Sequence, residues 1–202
     1  MNDVAIIALV LFAAFGVFGF GGRGWLQYRR TGSTGFRRIR GGVTEWVAGA
    51  GLGVALAVAL SAPILQLCNV IAPLPVLTAG WIQYTGIVIA ILGIATTVYA
   101  QLEMGDSWRI GVDERETTTL VRTGVFGWVR NPIYTAMFTF GFGVALVTPN
   151  LVACVGFILL VATVELQVRH VEEPHLLRAH GDAYRAYTAA VGRFVPAVGL
   201  VR

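Results

Sequence analysis

The chain predicts an all-α fold, a polytopic membrane helical bundle of about five transmembrane helices with a cytoplasmic C-terminal helix. Three observations predict it. Of 202 residues, 56% are hydrophobic and only 13% are charged, against about 25% charged in an ordinary soluble domain. Five apolar runs punctuate the chain, and an alternating pattern that would suit a transmembrane barrel is absent. All 15 basic residues are arginines, and five spans place every one of them on the same side of a membrane.

The first apolar run extends from about Val4 to Gly22. It has no basic stretch before it, carries Asp3 instead, and lacks a small-residue cleavage site, so it reads as a retained span rather than a signal peptide. The second runs from about Val43 to Leu67 and the third from about Val76 to Ala100. These three reach the roughly 20 residues a spanning helix needs. The fourth, about Pro132 to Val147, and the fifth, about Leu151 to Val168, are shorter. Only Thr148, Pro149 and Asn150 separate them, which predicts a tight helical hairpin turned by Pro and Asn. Buried backbone in lipid must satisfy its own hydrogen bonds, so helices are expected throughout.

The arginines fix the orientation. Arg23, Arg29, Arg30, Arg37, Arg38 and Arg40 lie between the first two runs, Arg109, Arg115, Arg122 and Arg130 follow the third, and Arg169, Arg178, Arg185, Arg193 and Arg202 follow the fifth. The positive-inside rule makes this side cytoplasmic and sends the N-terminus outward. An inner or plasma membrane location follows. Beyond the fifth run, apolar residues at Leu176, Leu177, Tyr184, Tyr187 and Val191 predict an amphipathic helix broken near Gly181.

Cys68 and Cys154 form no CxxC pair, and they read as small packing residues. His170, His175 and His180 recur every five residues and share no helix face; they read as interfacial, with no metal assigned. Glu165 stands four residues before Arg169, the favourable order for an ion pair along a helix. Gly141 and Gly143 read as contacts for close helix packing. Trp128 and Tyr134 suit either a membrane-interface belt or a binding slot, and Arg130 suits either an interfacial anchor or a ligand contact.

The densest polar cluster reads TTLVRTGVFGWVRNPIYTAMFTFGFG, then VELQVRHVEEPHLLRAHGDAYRAY, then VGRFVP. Two such motifs flanking a helical hairpin resemble the isoprenylcysteine carboxyl methyltransferases and the related phospholipid methyltransferases. The resemblance covers Gly105 to Pro196, and the first two spans carry no matching motif. It implies that residues 101–202 are a catalytic half binding S-adenosylmethionine at the cytoplasmic face. Residues 1–100 are then three N-terminal transmembrane helices with a basic cytoplasmic loop.

Carried over position by position, the resemblance implies a cofactor pocket from the backbone of Thr118, Thr119, Leu120 and Val121, with Gly124, Phe126, Arg130, Asn131, Pro132, Tyr134 and either Glu172 or Glu173. Asn131 stands where many relatives have His, so proton transfer there is not expected. Phe126 stands where many have Tyr, keeping a stacking face without the hydroxyl. The chemistry of the cofactor agrees. Phe126, Trp128 and Tyr134 can supply a slot for adenine, a glutamate an acceptor, and Arg130, Asn131 and backbone N–H groups near Pro132 donors.

The implied reaction methylates the polar head of a lipophilic acceptor, foremost a carboxylate, and releases S-adenosylhomocysteine. Arg169 or Arg193 would hold an anionic acceptor. A lipid amine or a thiol is the alternative acceptor, and an amine would call on Glu173 to take its proton. A non-enzymatic scaffold or transporter subunit is the reading of another class; the absence of inverted repeats and the few charges within the spans weigh against it. The expected partners are the bilayer and an amphiphilic or prenylated acceptor, with no nucleic acid; the oligomeric state is left open.

Overall fold

The structure is a computed structural model that describes residues 2–34, 42–105 and 119–201. Among the described residues seven α-helices follow in order: α1 Asn2–Ala14, α2 Arg23–Thr31, α3 Val43–Leu67, α4 Gly80–Glu103, α5 Pro132–Val147, α6 Leu151–Gln167 and α7 Glu173–Ala190. Four continuous helices are long and apolar enough to cross a membrane by length and composition: Asn2–Thr31, Val43–Leu67, Gly80–Glu103 and Leu151–Ala190. Pro132–Val147 is a shorter apolar helix beside them.

The first run does not end at Gly22. It passes through a π-helical stretch, Phe15–Gly22, straight into α2. Glycines at 16, 19, 21 and 22 weaken α-helical hydrogen bonding there and permit the wider turn. Gly32, in the left-handed region at φ 73°, stops α2 by donating its N–H to the Tyr28 carbonyl. Much of the expected first loop is therefore helix; its residues 35–41 lie outside the described residues. The third run also starts later than expected. Pro75–Leu77 form a 3-10 turn, and helix begins only at Gly80.

α5 opens on Pro132, which has no N–H to waste at a first helical position. The hairpin turn Thr148–Pro149–Asn150 is buried. Asn150 caps α6 by accepting the Ala153 N–H at 2.9 Å, and its amide donates to Gln66 Oε1 at 3.1 Å and to the Ala62 carbonyl at 3.3 Å. One side chain thus closes the hairpin and ties it to α3. At the other end, α6 runs through a second π-helical stretch, Val168–Glu172, into α7, which kinks at Gly181 (φ 51°, ψ −124°).

The helices pack in two close pairs, with small residues at each crossing. Between α4 and α5, a Cβ on Gly93 would lie 2.5 Å from the Phe140 nitrogen, and one on Gly143 would lie 2.5 Å from the Ala90 nitrogen. Between α3 and α6, a Cβ on Gly156 would lie 2.7 Å from the Ala59 Cα. Such approach is how helices associate where no water drives them together. Gly141 faces Leu160 and Phe157 of α6, so both candidate glycines of α5 sit at helix interfaces. α1 lies across the pairs: the Phe15 ring stacks on Phe140 at 4.2 Å and Phe12 meets it edge-on at 5.3 Å.

Candidate active site

The two motifs meet at one end of the bundle, where α5 begins and α6 gives way to α7. The meeting is made by backbone first. Val129 and Gly192 form a parallel β-bridge; the Arg130 N–H donates to the Gly192 carbonyl at 2.8 Å and the Asn131 N–H to the Arg193 carbonyl at 3.1 Å. Asn131 Nδ2 donates to that same carbonyl at 3.2 Å, and the Thr135 hydroxyl donates to the Phe194 carbonyl at 2.9 Å. Gly192 is required because a Cβ there would meet the Val195 oxygen at 2.1 Å. The chain after α7 is thereby fastened onto the first turn of α5.

Glu173 fastens the same junction with charge. Its Oε1 accepts from Arg130 Nη2 and from Arg193 Nε, both at 2.8 Å, and its Oε2 accepts from Arg193 Nη2 at 2.9 Å. Arg130 also donates to the carbonyls of Thr188, Val191 and Gly199. The Arg130 side chain is 1% exposed, that of Arg193 9% and that of Glu173 15%. Glu173 lies beyond the end of α6, at the start of α7. Burial pushes its carboxyl up, but hydrogen bonds and charge from Arg193 and Arg130 outweigh this and hold it below the usual carboxylate range. The same bonds push the Arg193 guanidinium up.

Glu173 and Arg193, expected at the cofactor and the substrate anion, hydrogen-bond each other through Arg193 Nε and Nη2. Arg130 is likewise internal. Arg169 is 53% exposed and pairs with Glu165 one turn earlier, as the helical spacing predicts. The expected amphipathic face of α7 is also shifted. Tyr184 and Tyr187 are buried, but Leu177 is exposed, and His175, expected at the interface, is buried. The kink at Gly181 turns the two halves of α7 relative to each other.

The second acid of the pair has a different setting. Glu172 Oε1 accepts from the Tyr134 hydroxyl at 2.5 Å and from Gln167 Nε2 at 3.4 Å, and no hydrogen bond to Oε2 is present among the described residues. The Tyr134 hydroxyl therefore orients the Glu172 carboxylate. The Phe126 ring is buried, and its carbonyl accepts from the Tyr187 hydroxyl at 2.6 Å, while Trp128 is 75% exposed and belongs to the surface. Thr119 and Gly124 are exposed, and Leu120 and Val121 are half-buried. Thr118 lies outside the described residues, as do residues 106–117.

Gly124, at φ 59°, opens the 3-10 turn Gly124–Gly127, and a Cβ on it would fall 1.8 Å from Glu103 Oε2. The glycine lets the Glu103 carboxylate at the end of α4 lie directly against this turn. With the Glu172 and Glu103 carboxylates as acceptors, the residues fit a cationic donor that carries hydroxyls and an ammonium. Sequence reasoning missed Glu103, Gln101 and Thr135. Polar residues at the ends of apolar spans were the available signal.

Residues 81–183 match the phospholipid methyltransferase family. The human protein-S-isoprenylcysteine O-methyltransferase is 26% identical over 118 residues, and the mouse protein of that name 25% identical over the same length. The matched region is 57% of this chain but only 42% of each relative, so the chain spans less than half the length of these curated proteins. A solved structure of the eukaryotic intramembrane Ras methyltransferase, isoprenylcysteine carboxyl methyltransferase, shares the fold. Its TM-score is 0.63 at 19% identity, over 97% of this chain and 70% of that one. With that fold and these apolar helices, the chain is an integral membrane protein.

Proposed function

Because the chain belongs to the phospholipid methyltransferase family, we propose that it is a membrane-embedded methyltransferase. It uses S-adenosylmethionine and methylates the polar head of a lipophilic acceptor, foremost a carboxylate, as the names of its human and mouse relatives suggest. The observation that carries this reading is the junction at which Glu173 joins Arg130 to Arg193, because it brings both motifs to one face of the bundle. Residues 101–202 are the cofactor-binding half, and residues 1–100 the N-terminal helices that support it. The arginine distribution supports a cytoplasmic active site and an outward N-terminus.

S-adenosylmethionine supplies, when bound, an electrophilic methyl group, and S-adenosylhomocysteine is the product. The segment from Thr119 to Gly124 and the Glu172–Tyr134 pair would hold it. A carboxylate acceptor is already ionised near neutral pH, so the chain needs no general base, and its contribution is to position and to exclude water. Arg169 suits the acceptor's anion. Its ion pair with Glu165 is exposed and so of the weak class, about 0–1 kcal/mol, which an incoming anion can displace.

The family match also raises a lipid amine as acceptor. An amine must lose a proton, and Glu173, held below the usual carboxylate range by two arginines, is a poor base for it. That favours the carboxylate. The test is to incubate the detergent-solubilised protein with methyl-labelled S-adenosylmethionine and a prenylated cysteine. Base-labile label released as methanol is expected. Base-stable label would move the acceptor to nitrogen or sulfur, and no stabilisation of the protein by saturating S-adenosylmethionine would end the enzyme reading.

A further inference from the structure

We propose that Glu103, at the last turn of α4, is the counter-charge for the cationic methyl donor and lets the site hold the donor more tightly than the spent product. The inference rests on the reading above and extends it to a residue outside both motifs.

The acids around the site are otherwise committed. Glu173 is shared by Arg130 and Arg193, Glu172 accepts from Tyr134 and Gln167, and Glu165 pairs with Arg169. Glu103 has no hydrogen bond or ion pair among the described residues. Glu103 is exposed, and its Oε2 lies against the exposed turn opened by Gly124, where a Cβ would fall 1.8 Å from it.

The first helix holds the chain on either side of Glu103. Two residues before Glu103, Gln101 Nε2 donates to the Gly19 carbonyl at 2.7 Å; two residues after it, the Gly105 carbonyl accepts from Arg23 Nη2. Gly19 belongs to the π-helical stretch, whose wider turns change which carbonyls are left for outside donors. The N-terminal helix, which carries no motif, thus anchors the end of α4 on both sides of the free acid.

Electrostatics then assigns the role. The guanidiniums of Arg130 and Arg193 are matched by Glu173 and the neighbouring Glu172, so the junction offers no net negative charge to a cationic ligand. S-adenosylmethionine bears a sulfonium, an ammonium and a carboxylate, and so one net positive charge. S-adenosylhomocysteine has lost the sulfonium and is neutral overall. An unpaired carboxylate beside the 119–124 turn supplies that negative charge, and it favours the donor over the product.

The test measures binding of both ligands by calorimetry to the full chain in detergent, for wild type and Glu103→Gln. Unliganded thermal midpoints serve as the folding control. Glu103→Gln is expected to weaken S-adenosylmethionine about three- to fivefold, the scale of a partly exposed ion pair, and to leave S-adenosylhomocysteine nearly unchanged. The difference should shrink as salt is raised. Equal weakening of both ligands, or no weakening of either, overturns the counter-charge. If wild type binds neither ligand, the underlying methyltransferase reading fails, and that outcome is distinct from the other two.

Discussion

Replacing Glu173 by Gln separates two roles for this acid, one in holding the chain together and one in touching a ligand. The substitution keeps the shape and one acceptor oxygen but removes the charge shared by two guanidiniums whose side chains are 1% and 9% exposed. Breaking a buried pair by removing one partner costs about 3–5 kcal/mol. Arg130 retains three backbone carbonyls, at Thr188, Val191 and Gly199, so the lower end, about 3 kcal/mol, is the better figure. At about 2–4 °C per kcal/mol for a chain of this size, the apparent melting midpoint in detergent should fall by about 6–12 °C. Arg169→Gln, which breaks only an exposed pair, should move it by about 2–4 °C at most. The Glu173→Gln/Arg193→Gln double variant should lose less than the sum of the two singles, because the second change removes a charge the first left unpaired. A Glu173→Gln protein that melts within a degree of wild type while its S-adenosylmethionine affinity collapses would refute the positioning role and restore Glu173 to the pocket.

Further outcomes follow from the same contacts. Asn150→Ala removes the α6 cap and two donations into α3, and should lower stability by about 2 kcal/mol in thermal melts. Asn150→Ser, which can still cap, should recover about half of that loss. Gly93→Leu drives a side chain toward the Phe140 backbone, 2.5 Å from where its Cβ must sit, and should cost well over the about 1–3 kcal/mol of ordinary overpacking; melting at the wild-type midpoint would disprove the close crossing. The Glu173 carboxyl is depressed in the folded protein, so its contribution is fully present above the unfolded value of about 4.3 and is lost as pH falls through the lower folded value. Melting midpoints should be insensitive to this group from about pH 5 to 8 and fall in more acidic buffer, and that acid-side fall should be smaller in Glu173→Gln.

The helices were legible where a run ends in a residue that itself stops helix or leaves lipid. α3 and α5 start and end as read from the apolar runs, because Gly42, Asn131–Pro132 and the Thr148–Pro149–Asn150 turn are local signals. The helix Asn2–Thr31 outruns the first apolar run because a basic residue after Gly22 marks the membrane surface, not the end of a helix. The site was legible as a set of residues but not as a set of roles. Motif spacing marks Glu173, Arg130 and Arg193 as important; it does not say that they bind one another across separations of 43 and 20 residues. Ion pairing of this kind is decided by the third dimension alone. The Glu165–Arg169 pair was legible because it is local and follows from helical pitch.

The arrangement explains why a motif-free N-terminal helix belongs to the same molecule as the motif-bearing half. A ligand site at the end of a bundle is only as rigid as the helix ends that form it, and helix ends fray. Two of the ends here are locked by the chain after α7: the start of α5 by backbone pairing to Gly192 and Arg193, and the start of α7 by Glu173. The end of α4 receives no such support among the described residues. It is held instead by Gln101 on Gly19 and Arg23 on Gly105, contacts that require the helix Asn2–Thr31 to lie across α4 with a carbonyl available in its π-helical stretch. Shortening that stretch by one residue would restore ordinary α-helical register and rotate everything before it by about 100° around the helix axis. The Phe15 and Phe140 rings, stacked at 4.2 Å, would then part while Arg23 kept its place. Such a deletion should therefore disturb the α1–α5 contact and the placement of the α4 end together, which ties the glycine-rich turn of the first helix to the geometry of the site.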